Sequence, residues 1–516
     1  MKLNYLNKII LTAFFCFSTV TQSLLAAESD RPNILFILID DMGWKDISCA
    51  GSTYYETPHI DELAAKGMRF VNAYSSSPVC TPSRGAIFSG KNPARTKLTT
   101  VFSSSAECGD RLYDTSKYRG EDHQYLEARH RHALPRGEVL LAEALSDGGY
   151  TTGFFGKWHC GGTSGYHPDE RGFQIAKGYR LTQGGSAKSG HWMKTFHRYG
   201  ANLDGVSRDA YVADVLTDEC ISFIKENQKK PWLAVLSHYL VHAPIDPRPE
   251  KVPHYKEKAK TDQGNPKYAA MVESVDDSVG KLIRAITDLN LEGNTLVIFT
   301  SDNGGHTPRA TSNYPLMGGK SFPFEAGMKV PYIAKWPGTI EPSVCEERIV
   351  GMDIYPTMLS AAGLPLRPKQ HVEGVDLVPL FAKKTPLKKR PIIFHFPHYS
   401  HATGPFSAII EDDWKLIRFY NDKHGAHLLY NLAVDPEEQN NLAEKNTDIR
   451  DKLERQLTNS LLEMKAEMPI LNPNYTPGQK DKGKHLKSTL NLANKERLQF
   501  ESRLKEQRQK AGDDSD

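Results

Sequence analysis

The chain has 516 residues, 39% of them hydrophobic and 25% charged, enough to bury one large core and a smaller second one. That composition excludes a disordered or fibrous protein, and a net charge of +3 gives no electrostatic case for nucleic acid. Lys2 and Lys8 precede an apolar run at residues 9–20, and Ala26 and Ala27 offer small residues for cleavage. This predicts a signal peptide over residues 1–27, because the run is too short to span a membrane. No later stretch is long and apolar enough to span, so the expected mature protein has no transmembrane segment and is exported, to the periplasm or the medium. Of seven cysteines, Cys16 leaves with the leader. Cys49, Cys108, Cys160, Cys220 and Cys345 show no paired spacing, so they predict neither a disulfide framework nor a zinc site.

Residues 33–39 (NILFILI) are continuously apolar and β-branched, as in a strand covered on both faces. Asp40 and Asp41 follow at once. One carboxylate there would serve as a cap or turn, but two beside a buried strand call for a positive partner. A hard cation with oxygen ligands, Ca²⁺ or Mg²⁺, answers that need. Residues 59–66 predict a short amphipathic helix ending at Gly67.

Next comes SSSPVCTPSRGAIFSG, residues 75–90. Pro78, Pro82 and the serines predict a turn, with a helix beginning at Arg84 and Cys80 just before it. A helix N-terminus presents free N–H groups and a positive dipole end, which suit an anion. Cys80 is then either a reactive group beside an anionic substrate or a buried structural thiol. Residues 91–136 are mostly polar, with His123, Arg129, His130, Arg131 and His132 close together. They predict a solvated insertion, the alternative being a wall that meets an acidic substrate.

Residues 139–145 predict a helix, and residues 150–155 a strand that delivers Lys157 and His159. Residues 161–205, with His191, Trp192, His197 and Tyr199, predict a long ordered loop beside a cleft. A helix at 209–226 precedes a strand at 232–236, which delivers His238 and His242. A long amphipathic helix at 267–289 precedes a strand at 295–300, which ends in Ser301-Asp302-Asn303-Gly304-Gly305-His306. Four apolar strands alternating with helices predict an α/β fold with a large, mostly parallel sheet sandwiched by helices. Ligands of such sheets bind outside the carboxyl ends of the strands, so the polar clusters converge there.

The C-terminal part differs. Residues 407–420 predict two strands around a turn at 411–413, residues 427–430 a third, and residues 447–464 a helix. The domains expected are a catalytic one over 28–390, a small α+β one over 391–468, and a charged helix or loose tail over 469–516.

Asp40-Asp41, Cys80-Thr-Pro-Ser-Arg84, Gly-Lys157-Trp-His159, His242-Ala-Pro, Ser-Asp302-Asn303-Gly-Gly and Gly-Gly-Lys320 occur in this order. Together they resemble the type I formylglycine sulfatases of the alkaline phosphatase superfamily, from about Arg31 to about Leu442. Trp414-Lys-Leu-Ile, Leu429-Tyr-Asn-Leu and Asp435-Pro-Glu resemble that family's small C-terminal domain. Two positions depart: Glu325-Ala-Gly where Gly-Gly is common, and Cys160 where an aliphatic residue is usual.

The resemblance implies that a maturation enzyme oxidises Cys80 to formylglycine. It implies a Ca²⁺ held by Asp40, Asp41, Asp302 and Asn303 with the modified Cys80 beside it. Asp302 would take a proton from the nucleophile, Lys157 and Lys320 would neutralise sulfate oxygens, and His242 would protonate the leaving alcohol. His159 would accept the proton that lets sulfate depart, and Arg84 would hold the assembly. The aromatic and histidine content of 161–205 suggests a sulfated carbohydrate, with His306 and Arg309 as further substrate contacts. Two rivals remain: a phosphonate or phosphate ester hydrolase of the same superfamily, and a Ca²⁺-dependent binder of sulfated glycan that turns nothing over.

Overall fold

The structure is a computed structural model that describes residues 31–102, 109–114, 123–179, 190–193, 202–203, 205–306, 310–383, 385–421, 426–476 and 485–511. The expected signal peptide, Cys108, His197, Tyr199 and Arg309 lie outside the described residues.

Eight strands form the main sheet: β1 (Asn33–Ile39), β2 (Met68–Phe70), β3 (Thr151–Gly156), β4 (Ile175–Lys177), β5 (Trp232–Ser237), β6 (Thr295–Ser301), β7 (Tyr332–Lys335) and β8 (Ser343–Cys345). Their order is β8-β2-β7-β6-β1-β5-β3-β4. Neighbours pair in parallel except at β7, which runs antiparallel to both β6 and β2. The four strands expected from sequence are thus the four central neighbours, β6, β1, β5 and β3.

β1 shows why its run is apolar throughout. Leu35, Ile37 and Ile39 face a core built with helices α1 (Pro58–Ala65), α4 (Val212–Asn227) and α5 (Pro266–Asp288). Ile34, Phe36 and Leu38 face the opposite core, built with α2 (Cys80–Ser89), α3 (Leu141–Asp147) and α6 (Ile354–Ala361). Alternate side chains of a strand point to opposite faces, so helices on both faces leave it no polar position after Asn33 at its start.

The helix after the cysteine turn starts earlier than expected. α2 begins at Cys80, with Val79 as its extended N-cap, so Cys80 is the first helical residue. Pro82 is compatible because the N–H groups of a first turn have no intrahelical partner to lose. Residues 91–136 also differ from a solvated insertion. Leu98, Ala133 and Leu134 are in the core, His130 is buried, and the Thr99 hydroxyl bonds His398 Nε2 at 2.8 Å.

A second, antiparallel sheet follows: β9 (Ile392–Phe396), β10 (Phe406–Glu411), β11 (Trp414–Phe419) and β12 (His427–Asn431), in sequential order. β9 was not expected from sequence. Helix α7 (Thr447–Glu463) covers one face through Leu453, Leu457 and Leu461. The other face, with Phe394, Ala408 and Ile417, packs on Val79 and Ala86 around the cysteine helix. Helix α8 (Leu486–Ala511) forms where a helix or loose tail was expected. It is docked by buried Ala493 and Phe500, and Phe500 stacks on Tyr314 with centroids 4.6 Å apart. No described helix is long and apolar enough to cross a membrane.

Candidate active site

The sheet ladder continues just past its carboxyl edge and fixes the loops that leave it. Asp302 N–H donates to Ile39 O (3.0 Å), Lys157 N–H to Ser237 O (2.8 Å), and His238 N–H to Leu38 O (2.9 Å). Asp41 has φ 63° and His159 φ 56°, left-handed values that bend each loop back over the edge. Strained non-glycine backbone of this kind gathers at functional sites.

The two aspartates meet Asp302 and Cys80. One ligand-type atom from each of Asp40, Asp41, Cys80 and Asp302 lies within 4.8 Å of all the others. Cys80 Sγ is 3.4 Å from Asp40 Oδ1, 3.7 Å from Asp41 Oδ1 and 3.4 Å from Lys320 Nζ. Three buried carboxylates are tolerable only against matching cations. Lys157 Nζ donates to Asp40 Oδ2 at 2.5 Å, Lys320 Nζ to Asp41 Oδ1 at 2.6 Å, and Arg84 Nε to Asp302 Oδ2 at 2.7 Å.

The electrostatics reflect that count. Burial alone would raise Asp40 and Asp41. Lys157 with His242 outweighs it at Asp40, and Lys320 with His242 at Asp41, so Asp40 sits well below the carboxylate range and Asp41 at about 2. At Asp302, burial wins over Arg84 and lifts the carboxyl to about 6. Burial, and then the Asp302 charge, push the Cys80 thiol well above its ordinary value.

Arg84 is 0% exposed and holds the assembly together. Its Nη1 donates to Lys157 O (2.8 Å) and Ser237 Oγ (2.6 Å), and the Ser237 hydroxyl donates to the same Lys157 carbonyl (2.7 Å). One guanidinium therefore ties α2 to the ends of β3, β5 and β6. Ser237 escaped the sequence reading, since a serine ending a strand carries no signal of its own.

Asn303 bears on whether a cation fits. Its amide donates to Asp41 Oδ1 (2.8 Å) and Gly304 O (3.0 Å), while its Oδ1 is buried with no partner. A buried carbonyl oxygen without a donor, beside three carboxylates, is what a hard cation satisfies. Asp40, Asp41, Asp302 and Asn303 thus form an oxygen-rich set that fits a hard cation such as Ca²⁺.

His242 stands at the open side, with Nε2 3.6 Å from Asp41 Oδ2 and the side chain 37% exposed. Its Nδ1 donates to Ala243 O at 2.5 Å, which leaves Nε2 for proton exchange. The cleft walls, and then the Lys320 charge, push it down to about 4. Burial, and then Lys157, hold His159 well below its ordinary value. His159 borders a ring wall: its imidazole is 5.6 Å from Phe102, Phe102 stacks on His132 (5.4 Å), and His132 stacks on Tyr113 (3.8 Å). His130 meets His398 of the C-terminal part edge-on at 5.1 Å. His306 stacks on His401 at 5.8 Å.

The structure therefore brings Asp40, Asp41, Cys80, Arg84, Lys157, His159, His242, Asp302, Asn303 and Lys320 to one place. His306 lies just beyond, after Gly305, whose carbonyl accepts the Lys320 N–H. His238, from the same strand end as His242, turns into the core onto Ser278 Oγ (3.0 Å). Phe102, Tyr113, His398 and His401 were missed, because distant segments bring them together and nothing local marks them.

Comparison with known proteins agrees with this geometry. The family model described as Sulfatase matches residues 32–364, and one described as N-sulphoglucosamine sulphohydrolase, C-terminal, matches residues 317–467. N-acetylgalactosamine-6-sulfatase of Sus scrofa is 32% identical over 385 residues, covering 70% of this chain and 68% of its own. N-acetylgalactosamine-6-O-sulfatase of Bacteroides thetaiotaomicron is 26% identical over 504 residues, covering 82% and 91%. The crystal structure of Ps i-CgsB in complex with k-i-k-neocarrahexaose superposes with a TM-score of 0.70 at 25% identity, covering 84% of this chain and 93% of its own. The matched Sulfatase region contains every charged residue of the cleft edge from Asp40 to Lys320, and by that match the chain belongs to the sulfatase family, the hydrolases of sulfuric esters.

Proposed function

We propose that the protein removes sulfate from a sulfated carbohydrate, with a formylglycine made from Cys80 and a bound Ca²⁺. The observation that carries this reading is the convergence of Lys157, Lys320 and Arg84 on the carboxylates around Cys80, at the foot of a cleft walled by rings. Relatives named for N-acetylgalactosamine 6-sulfate support the carbohydrate class. Aromatic and imidazole faces suit sugar rings, and charged donors suit their anionic groups.

Formylglycine supplies a hydrated aldehyde whose hydroxyl is the nucleophile toward sulfur, and Ca²⁺ held by Asp40, Asp41, Asp302 and Asn303 supplies a fixed positive charge beside it. The chain's own residues do the rest. Lys157 and Lys320, each on a short tether to a buried aspartate, bind the sulfate oxygens and offset the charge that grows on them. Asp302, aimed by Arg84, takes the proton of the nucleophile. His242, charged when an anionic sulfate ester lies beside it, carries a second proton on Nε2 and delivers it to the leaving oxygen. His159, behind Lys157 and against Phe102, accepts the proton that resets the site. The basic N-terminus and apolar run predict an exported protein, and the maturation enzyme acts on it as a partner.

The test is sulfate release from a panel of defined sulfated sugars, with phosphate esters assayed in parallel. The protein is co-expressed with a formylglycine-generating enzyme, and Cys80→Ala serves as the blank. Sulfate from at least one sugar and none from the blank is the expected result. Faster hydrolysis of the phosphate esters, with Cys80 shown by peptide mass to be oxidised, would overturn it.

A further inference from the structure

The loop that carries His242 leaves the sheet with little backbone to hold it. Its inner half is tied to β1, by Asp40 N–H to Leu240 O (3.0 Å) and Val241 N–H to Asp40 O (2.8 Å). Its outer half reads His242-Ala-Pro-Ile-Asp-Pro-Arg-Pro249, and three prolines in eight residues remove three backbone donors. The carbonyls of that stretch must find donors elsewhere.

They find His191. This side chain is 4% exposed, and its Nε2 lies 2.9 Å from His242 O and 3.1 Å from Pro244 O. Since both partners are carbonyls, Nε2 carries the proton and donates to the pair. The backbone N–H of His191 also bonds Asp246 Oδ2 at 3.1 Å. His191 is itself anchored to the start of α4: Val212 N–H donates to His191 O, and Met193 N–H to Ala210 O, both at 2.9 Å. Trp192 forms a bridge with Tyr211, whose hydroxyl donates to Asp246 O at 3.2 Å. A rigid helix start thus reaches, through one imidazole, the peptide carbonyl of the residue at the mouth of the cleft.

We propose that His191 is a positioning residue for His242, fixing its backbone so that Nε2 faces the leaving oxygen. This rests on the sulfatase reading above, with His242 as proton donor. An acid matters most when the leaving group is poor, and a small displacement of a reacting group is enough to cost rate. Loss of the His191 donor should therefore be felt in proportion to how much the leaving group needs a proton. A role confined to holding two segments together would lower all substrates alike.

The experiment compares kcat/KM for 4-nitrophenyl sulfate, which departs without help, and phenyl sulfate, which departs less readily. His191→Phe keeps a ring and removes the donor, whereas His191→Gln keeps an N–H donor. We expect His191→Phe to lose at least about tenfold more on phenyl sulfate than on 4-nitrophenyl sulfate, and His191→Gln to recover most of that difference. On a His242→Ala background the substitution should change nothing further. Equal losses on both substrates, or a full additional loss without His242, would overturn the proposal. If His191→Phe does not fold, His191→Ala with added imidazole replaces it: selective recovery of phenyl sulfate turnover supports the role, and no recovery overturns it. Wild type that releases sulfate from neither aryl sulfates nor any sulfated sugar, with Cys80 oxidised, would remove the hydrolase reading and this proposal together, whereas an active wild type with parallel losses would remove His191 alone.

Discussion

Arg84 concentrates the residue-scale physics of this site. It is fully buried, its Nε and Nη1 bond one carboxylate, one hydroxyl and one carbonyl, and its Nη2 faces Asp40 Oδ1 at 3.6 Å. Lysine can reach one of these but not all of them. Arg84→Lys should leave a buried charge partly unpaired and destabilise the fold by about 3–5 kcal/mol. Urea unfolding measures this, and a loss below about 1 kcal/mol would show the guanidinium to be replaceable. Asp40, Asp41, Lys157 and Asp302 were legible in sequence because charged residues beside buried apolar strands need a reason, and Arg84 only through the resemblance of the Cys-Thr-Pro-Ser-Arg run. Ser237 and His191 were not, since their work is set by which carbonyls the fold places near them. Of the wall rings, His130 and His132 stood out by their clustering, but Phe102, Tyr113, His398 and His401 did not, for a ring far along the chain reads the same whether it lines a core or a cleft.

At the scale of elements, two contacts fix geometry that side chains alone cannot. Gly156 ends β3 at φ 114°, and a Cβ there would lie 1.9 Å from Ser237 O, the carbonyl that accepts the Lys157 N–H. Gly156→Ala should therefore part β3 from β5, displace Lys157, and destabilise by more than about 3 kcal/mol, read from the thermal midpoint. The second contact joins α5 to α1. Asp276, buried on α5, accepts from Ile60 N (2.8 Å) and His59 N (3.2 Å) at the open N-terminus of α1. Burial outweighs those bonds and lifts its carboxyl to about 6. The folded protein then holds this proton where the unfolded chain has lost it. Its contribution to stability should fall by about 3 kcal/mol as pH rises from about 4 to 6, and stay level above. Asp276→Asn should remove that share of the pH dependence and leave the share of groups such as Asp302 in place, which paired urea titrations of variant and wild type at pH 4 and 7 will show or refute. Strand and helix positions were mostly readable because their periods were clean. The start of α2 was misread because prolines suggested a turn where the first helical turn accommodates one. β9 was overlooked because IIFHF, next to a proline and a basic run, has few turn signals to frame it.

For the whole molecule, the C-terminal sheet is part of what holds the cysteine helix in place. Its inner face packs on Val79 and Ala86, and α8 closes the same cluster. Removing residues 485–516 should expose that apolar surface, lower the melting temperature and promote aggregation, as light scattering would report. The parallel centre of the sheet between two helical layers was legible from alternation, but antiparallel β7 and the docking of α8 were not. Its charged composition spoke for solvent, while two residues, Ala493 and Phe500, decided its placement. The proposed cation makes a molecule-wide prediction of its own. EGTA should lower the melting temperature and added Ca²⁺ restore it, because a ligand bound only by the native state stabilises it. Asp41→Asn should abolish that response without requiring any assay of turnover.

The pairing of β1 with β6 carries a consequence for the order in which the protein comes into being. Ile39 O and Ser301 Oγ bond across 262 positions of sequence. During synthesis Asp40 and Asp41 emerge long before Lys157, Asp302 and Lys320, so the carboxylates must stay hydrated and apart until most of the chain exists. Long-range pairings of this kind make folding slow and leave sheet edges exposed on the way. A nascent chain stopped before residue 295 would hold β1, β3 and β5 with one flank open, and would carry Asp40, Asp41, Cys80, Arg84, Lys157 and His242 without the Asp302, Asn303 and Lys320 that complete the site.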